Sequence, residues 1–164
     1  MSLREVLFPA RWAYQGVTGF RNWLYDHNWL KANQVQAKVI SIGNLTVGGT
    51  GKTPLTLALI ERLKGKGYSC GVVSRGYKRQ QAGVLEVEVA PKAALTFGDE
   101  PTLIKSRHPD VPVIVGEKRV AAAQTLLTNK SVDFILCDDA FQHRRLHRDL
   151  NLLLMDVTEP QNNY

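Results

Sequence analysis

Val39-Ile40-Ser41-Ile42-Gly43-Asn44-Leu45-Thr46-Val47-Gly48-Gly49-Thr50-Gly51-Lys52-Thr53-Pro54 is the stretch that decides the fold. The apolar residues at 39–42 read as a strand buried on both faces, and the glycines after them as a loop. Pro54 suits the first turn of a helix, where its missing N–H costs nothing. A phosphate chain needs close backbone approach, several inward N–H donors and the positive end of a helix. Gly48, Gly49 and Gly51 remove the side chains that would obstruct it. On this reading Thr46, Val47, Gly48, Gly49, Thr50, Gly51, Lys52 and Thr53 bind a nucleotide. Lys52 reaches its β and γ phosphates, and the Thr53 hydroxyl ligates Mg²⁺. The strict phosphate-loop pattern has glycine where this chain has Thr46, so the strand-loop-helix setting carries much of the argument.

Outward from this stretch, short apolar runs alternate with helical patterns from Lys38 onward, the signature of an α/β domain with a mostly parallel sheet flanked by helices. Strands are expected at 39–42, 70–74, 84–89, 113–115, 132–137 and 151–155, and helices at 54–64, 99–106 and 117–128. In the first helix Leu55, Ala58, Leu59 and Leu63 fall on one face. The run at 84–89 alternates with Glu86 and Glu88 and reads as a half-exposed edge or hairpin strand.

The chain has 164 residues, of which 44% are hydrophobic and 22% charged, with 13 Gly and 7 Pro; this excludes disordered, collagen-like and disulfide-scaffold classes. No apolar run approaches the roughly 18 residues of a spanning helix, so a secreted or multispanning protein is not expected. Cys70 and Cys137 lie inside apolar segments and read as reduced core thiols. A net charge of +6 favours anionic partners without naming them.

The first thirty residues hold seven of the thirteen aromatics, including all three Trp. Leu3, Leu7, Ala10, Tyr14, Val17 and Leu24 line one face of a helix, with Arg4, Arg11 and Arg21 available for anions. Such a helix lies on a membrane surface, docks on the following domain or meets a partner protein, and the sequence leaves these open. The expected organisation is an amphipathic helical segment over 1–32 and a P-loop nucleotide-binding domain over 33–164.

A P-loop enzyme also needs a carboxylate at the end of a neighbouring buried strand. Asp138 and Asp139 supply one after the 132–137 run, and Asp156 is a second candidate; the alternative for each is a turn cap. Gly98-Asp99-Glu100-Pro101 reads equally as a helix start with an acidic first turn or as a carboxylate placed to accept a proton from an attacking hydroxyl. The cations of Ser74-Arg75-Gly76-Tyr77-Lys78-Arg79 either bind phosphate or solvate a loop. The cluster Gln142, His143, Arg144, Arg145, His147 and Arg148 has no zinc-site spacing and reads mainly as a solvated face.

Taken in order, the loop through Pro54, Val72-Val73-Ser74-Arg75-Gly76-Tyr77, Gly98-Asp99-Glu100-Pro101 and Asp138-Asp139-Ala140-Phe141-Gln142-His143 resemble the tetraacyldisaccharide 4'-kinase family. The resemblance runs from the aromatic segment to about Asp156, and Thr46 in place of glycine is typical of that family. It implies phosphoryl transfer from ATP, with Mg²⁺, to the 4'-hydroxyl of tetraacyldisaccharide 1-phosphate in lipid A biosynthesis. It further implies a peripheral protein on the cytoplasmic face of the inner membrane. Nucleic acid is not expected, since the aromatics sit at the N-terminus, away from the basic loops, and no protein partner is expected. By resemblance Lys52 and Thr53 serve nucleotide and metal, Asp138 and Asp139 the metal, and Asp99 is the catalytic base beside Lys52. The family has a substantial second half, which supplies a histidine partner for the base and closes the cleft. A catalytically inactive ATP-binding fragment is therefore the alternative expectation, and a soluble P-loop kinase with another small substrate a third. The absence of an Asn-Lys-x-Asp segment weighs against a GTPase.

Overall fold

The computed structural model describes residues 19, 20, 23, 24, 27, 29–44, 51–77, 79–138 and 145–155. The chain divides into two compact units, Met1–Ala32 and Asn33–Tyr164. In the first, residues 19, 20, 23 and 24 are helical, and Trp23 stacks with Phe20 and tilts against His27 and Trp29. Most of the amphipathic helix expected over 1–32, including its stripe from Leu3 to Val17, lies outside the described residues.

In the second unit the elements run β1 (Lys38–Asn44), α1 (Lys52–Gly65), β2 (Cys70–Ser74), β3 (Leu85–Glu86), α2 (Ala93–Phe97), α3 (Asp99–Arg107), β4 (Val113–Val115), α4 (Arg119–Asn129), β5 (Phe134–Asp138) and β6 (Leu150–Leu154). The strands form one six-stranded sheet in the order β3-β4-β2-β5-β1-β6. All pairings are parallel except that of β3 with β4. The α/β class and mostly parallel sheet expected from the sequence are what the chain adopts.

The consecutive apolar positions of β1, β2 and β5 have a direct consequence, because successive side chains enter opposite faces of the sheet. Val39, Val73, Ile135 and Cys137 join Ala122, Ala123 and Leu126 of α4 in one core. Ile40, Ile42, Val72 and Leu136 join Ile60 of α1 and Ile104 of α3 in the other. Each fully buried aliphatic side chain contributes about 1.5–3 kcal/mol relative to exposure, which fixes strand register against slippage. Gly71 permits α4 to sit close: a Cβ there would lie 2.6 Å from Leu126 Cδ1.

Three local readings need correction. On α1 the buried residues are Thr56 and Ile60, while Ala58 is exposed and Leu55, Leu59 and Leu63 are partly buried. Thr56 can be buried because its hydroxyl donates to the Lys52 carbonyl at 3.0 Å, so its polarity did not mark the outer face. The edge strand at 84–89 contracts to Leu85–Glu86; Glu86 and Glu88 are exposed as expected, and the Val87 N–H still donates to the Val113 carbonyl at 2.8 Å. The short α2 was not expected, since a single turn and a half has too few residues to display a period.

Both cysteines are free and buried. Burial raises the Cys70 thiol above its ordinary pKa and pushes Cys137 up to about 12, so the thiols serve packing and not nucleophilic chemistry.

Candidate nucleotide site

Parallel pairing brings the carboxyl ends of β1, β2 and β5 to one edge of the sheet, where open α/β folds bind ligands. Ile42 of β1 lies opposite Asp138 of β5, so the last residues of these neighbouring strands and the start of α1 share one edge. The turn enters α1 through Gly51, whose φ of 82° lies in the left-handed region. Glycine adopts that geometry without Cβ strain. The next residue, Lys52, directs its Nζ to Asn44 Oδ1 at 3.2 Å, so the end of β1 and the first residue of α1 hold each other across the loop. Thr53 follows in the first turn of α1, where backbone N–H groups lack helical partners and favour anions.

Asp138 is buried at the end of β5. The Ser74 hydroxyl at the end of β2 donates to Asp138 Oδ2 at 3.4 Å and accepts from the Gly76 N–H, also at 3.4 Å. Arg119, buried at the start of α4, donates to the Gly116 carbonyl at 2.6 Å and to the Asp138 carbonyl at 3.3 Å.

Asp99 arrives at this edge by a different route. Gly98 precedes α3 with φ 96° and ψ 157°, a combination open essentially to glycine alone. A Cβ on Gly98 would lie 3.0 Å from the Tyr77 carbonyl oxygen, and one on Gly76 2.7 Å from the Phe97 carbonyl oxygen. The loop after β2 and the loop before α3 therefore press backbone against backbone through two glycines. Asp99 and Glu100 occupy the first turn of α3, where negative charge complements the helix dipole. Both are exposed.

Among the expected site residues, Gly51, Lys52, Thr53, Asp99 and Asp138 are described, and their elements converge on one edge of the sheet. Thr46, Val47, Gly48, Gly49, Thr50 and Asp139 lie outside the described residues, as do Asp156, Lys78, Gln142, His143 and Arg144. Among the described residues no group of three or more His, Cys, Asp or Glu could hold a metal ion alone. The Thr53 hydroxyl and the Asp138 carboxylate are hard oxygen donors. A sparse set of this kind fits Mg²⁺, which keeps several waters and takes phosphate oxygens as ligands. Asn44 and Arg119 were missed as site residues, and Ser74 was noticed only for the cations that follow it. Arg119 is the one charged residue within the helix Arg119–Asn129, but it follows Glu117 and Lys118 and so carries no distinct signal in the sequence.

A parallel sheet whose first strand passes through a left-handed glycine into a Lys-Thr helix start, beside a strand ending in a buried aspartate, defines an α/β protein of the P-loop nucleotide-binding class. A family model described as tetraacyldisaccharide-1-P 4'-kinase matches residues 3–164, and the chain belongs to that family. The tetraacyldisaccharide 4'-kinase of Bdellovibrio bacteriovorus is 42% identical over 163 residues, covering 99% of this chain and 48% of its own length. That of Aquifex aeolicus is 41% identical over 156 residues, covering 93% of this chain and 49% of its own. The crystal structure of LpxK from Aquifex aeolicus in complex with ATP matches with a TM-score of 0.80 at 40% identity, covering 96% of this chain and 50% of that one. This chain thus spans about half the length of the curated relatives it matches.

Proposed function

We propose that the chain provides the nucleotide-binding half-site for transfer of the ATP γ-phosphoryl group to the 4'-hydroxyl of tetraacyldisaccharide 1-phosphate. The observation that carries this reading is the junction of Asn44, Gly51 and Lys52 beside Asp138, in a chain of this family. Residues Thr46 to Thr53, leading into and opening α1, would bind the phosphates, for which a helix start supplies free backbone N–H groups. Lys52, which donates to Asn44 Oδ1, would reach the β and γ phosphate oxygens and stabilise charge on the transferred group. Asp99, exposed at the start of α3, accepts the proton of the attacking 4'-hydroxyl. Thr53, Asp138 and Asp139 would hold Mg²⁺, which when bound neutralises charge on the phosphate oxygens.

The exposed aromatics of the first unit support a seat on a membrane surface; that this is the cytoplasmic face of the inner membrane is inferred from the family alone. Phe20 is 63% and Trp29 75% exposed, the side-chain types that settle at the headgroup level. Among the described residues no helix is long and apolar enough to cross a membrane. Residues 1–32 are accordingly expected to co-sediment with anionic vesicles, and equal recovery in the supernatant with and without vesicles would remove this seat.

The test of function is transfer of labelled γ-phosphate from ATP to tetraacyldisaccharide 1-phosphate in detergent micelles, comparing the chain with its Asp99→Ala variant. Label in the lipid from the unmutated chain alone supports the reading. Equal labelling by both would overturn Asp99 as base, and ATP binding without any labelling would make this chain a nucleotide-binding domain without transfer activity.

A further inference from the structure

We propose that Arg119 and Ser74 are positioning residues that set how Asp138 meets a divalent cation; this rests on the reading of Asp138 as a cation ligand. Arg119 is only 2% exposed, although it opens a helix whose remaining buried residues are Ala122, Ala123 and Leu126. Burying a guanidinium carries a desolvation cost that an apolar residue of similar volume avoids. Its presence there points to what it holds.

The fork reaches two carbonyls, Gly116 just after β4 at 2.6 Å and Asp138 at the end of β5 at 3.3 Å. These strands are not neighbours, because β2 lies between them in the sheet. Arg119 therefore spans the end of β2 and ties the main chain of Asp138 to a strand two places away. Ser74, at that same end of β2, holds the other end of the residue. Its oxygen accepts from the Gly76 N–H, which leaves its proton for Asp138 Oδ2. Main chain and carboxylate thus have separate partners, the carboxylate through a long hydrogen bond that shortening on cation binding would strengthen, and outer partners of this kind orient a metal-binding carboxylate. A lysine at 119 offers a point charge in place of a planar fork and cannot serve both carbonyls in this geometry.

Gly76 extends the same chain of contacts. It donates to Ser74 and packs against the Phe97 and Gly98 backbone that leads into Asp99. The brace on Asp138 is therefore continuous with the loop that carries Asp99.

The test is calorimetric titration of ATP into the full chain, once with Mg²⁺ and once with EDTA, so that the metal-dependent gain in affinity is read apart from nucleotide binding itself. The comparison covers Asp138→Asn, Ser74→Ala, Arg119→Lys and Arg119→Met. Ser74→Ala and Arg119→Lys are expected to keep the EDTA affinity while losing roughly 10- to 100-fold of the Mg²⁺ gain. The Mg²⁺ concentration at half effect should rise by the same factor. Arg119→Met is the stronger lesion; if it fails to fold, the other two variants decide the matter. A lowered melting temperature with an intact Mg²⁺ gain in Ser74→Ala and Arg119→Lys would reduce both residues to structural roles and overturn the proposal. If Asp138→Asn itself keeps the gain, the cation reading falls with it; if Asp138→Asn loses the gain while the Ser74 and Arg119 variants keep it, only the brace is refuted.

Discussion

Asp138 and Asp99 reach the same edge of the sheet in opposite conditions. Asp138 ends a central strand, is buried, and is fastened through its carboxylate by Ser74 and through its carbonyl by Arg119. Asp99 opens a peripheral helix, is exposed, and owes its place to two glycines that let neighbouring loops touch. A carboxylate that must present fixed oxygens to a cation benefits from a rigid mount. One that must meet the hydroxyl of an incoming substrate needs access, and a general base acts only within hydrogen-bond reach of its proton. On the proposed function, this contrast in burial fits different work for two residues of the same chemistry.

Substitution of the exposed carboxylate should have the greatest consequence. Asp99→Asn should lower phosphoryl transfer by roughly 10²- to 10⁴-fold while calorimetric ATP affinity stays at the wild-type value. A parallel loss of ATP affinity would put Asp99 in the nucleotide site and erase the distinction. Next in size is the mount itself. Gly98→Ala places a Cβ in a backbone conformation that excludes it and 3.0 Å from the Tyr77 carbonyl oxygen; the strain should cost about 1–3 kcal/mol, read as a lower urea midpoint. Transfer should fall further than that loss of folded protein explains, because Asp99 moves with the loop.

A smaller effect separates the candidate-site edge of the sheet from the opposite one. Asp110, Asp133 and Asp149 each accept hydrogen bonds that hold their carboxyls below the usual range, from Lys64, from Ser69, and from Lys38 with the Val39 N–H respectively. Each folded pKa lies below its unfolded value, so the stabilisation is present above the ordinary carboxylate pKa and is lost as pH falls through the lowered value. Stability should therefore decline on acidification below about pH 4, and Asp149→Asn should flatten that decline. An unchanged slope would mean that these contacts do not distinguish folded from unfolded chain. Smallest is the behaviour of Cys137: with burial pushing its pKa to about 12, alkylation at neutral pH should occur only after denaturant is added.

Much of this was legible in the sequence for a physical reason. Strands buried on both faces leave continuous apolar runs, so 70–74 and 113–115 were read to the residue. The glycines and Lys-Thr pair mark a loop whose backbone geometry dictates its composition. The spacing in the helix at 54–64 puts Leu55, Leu59 and Leu63 against the core, but it gives no sign that Ala58 is exposed or that Thr56, with its hydroxyl satisfied within its own helix, is buried. Arg119 escaped for the complementary reason: a charge at a helix start normally faces water, and only the sheet order reveals the carbonyls it spans. The apposition of Gly76 and Gly98 joins residues 22 positions apart in sequence, and no local pattern announces such a contact.

If the turn from β1 to α1 and the end of β5 form one nucleotide site, Lys52 is indispensable to ATP binding. Titration of ATP with Mg²⁺ into the unmutated chain and into Lys52→Ala tests it most directly. Binding to the unmutated chain should be saturable, and a Lys52→Ala variant whose melting temperature is preserved should lose tight binding. Equal ATP affinity in both proteins, or no binding to the folded unmutated chain, would contradict it.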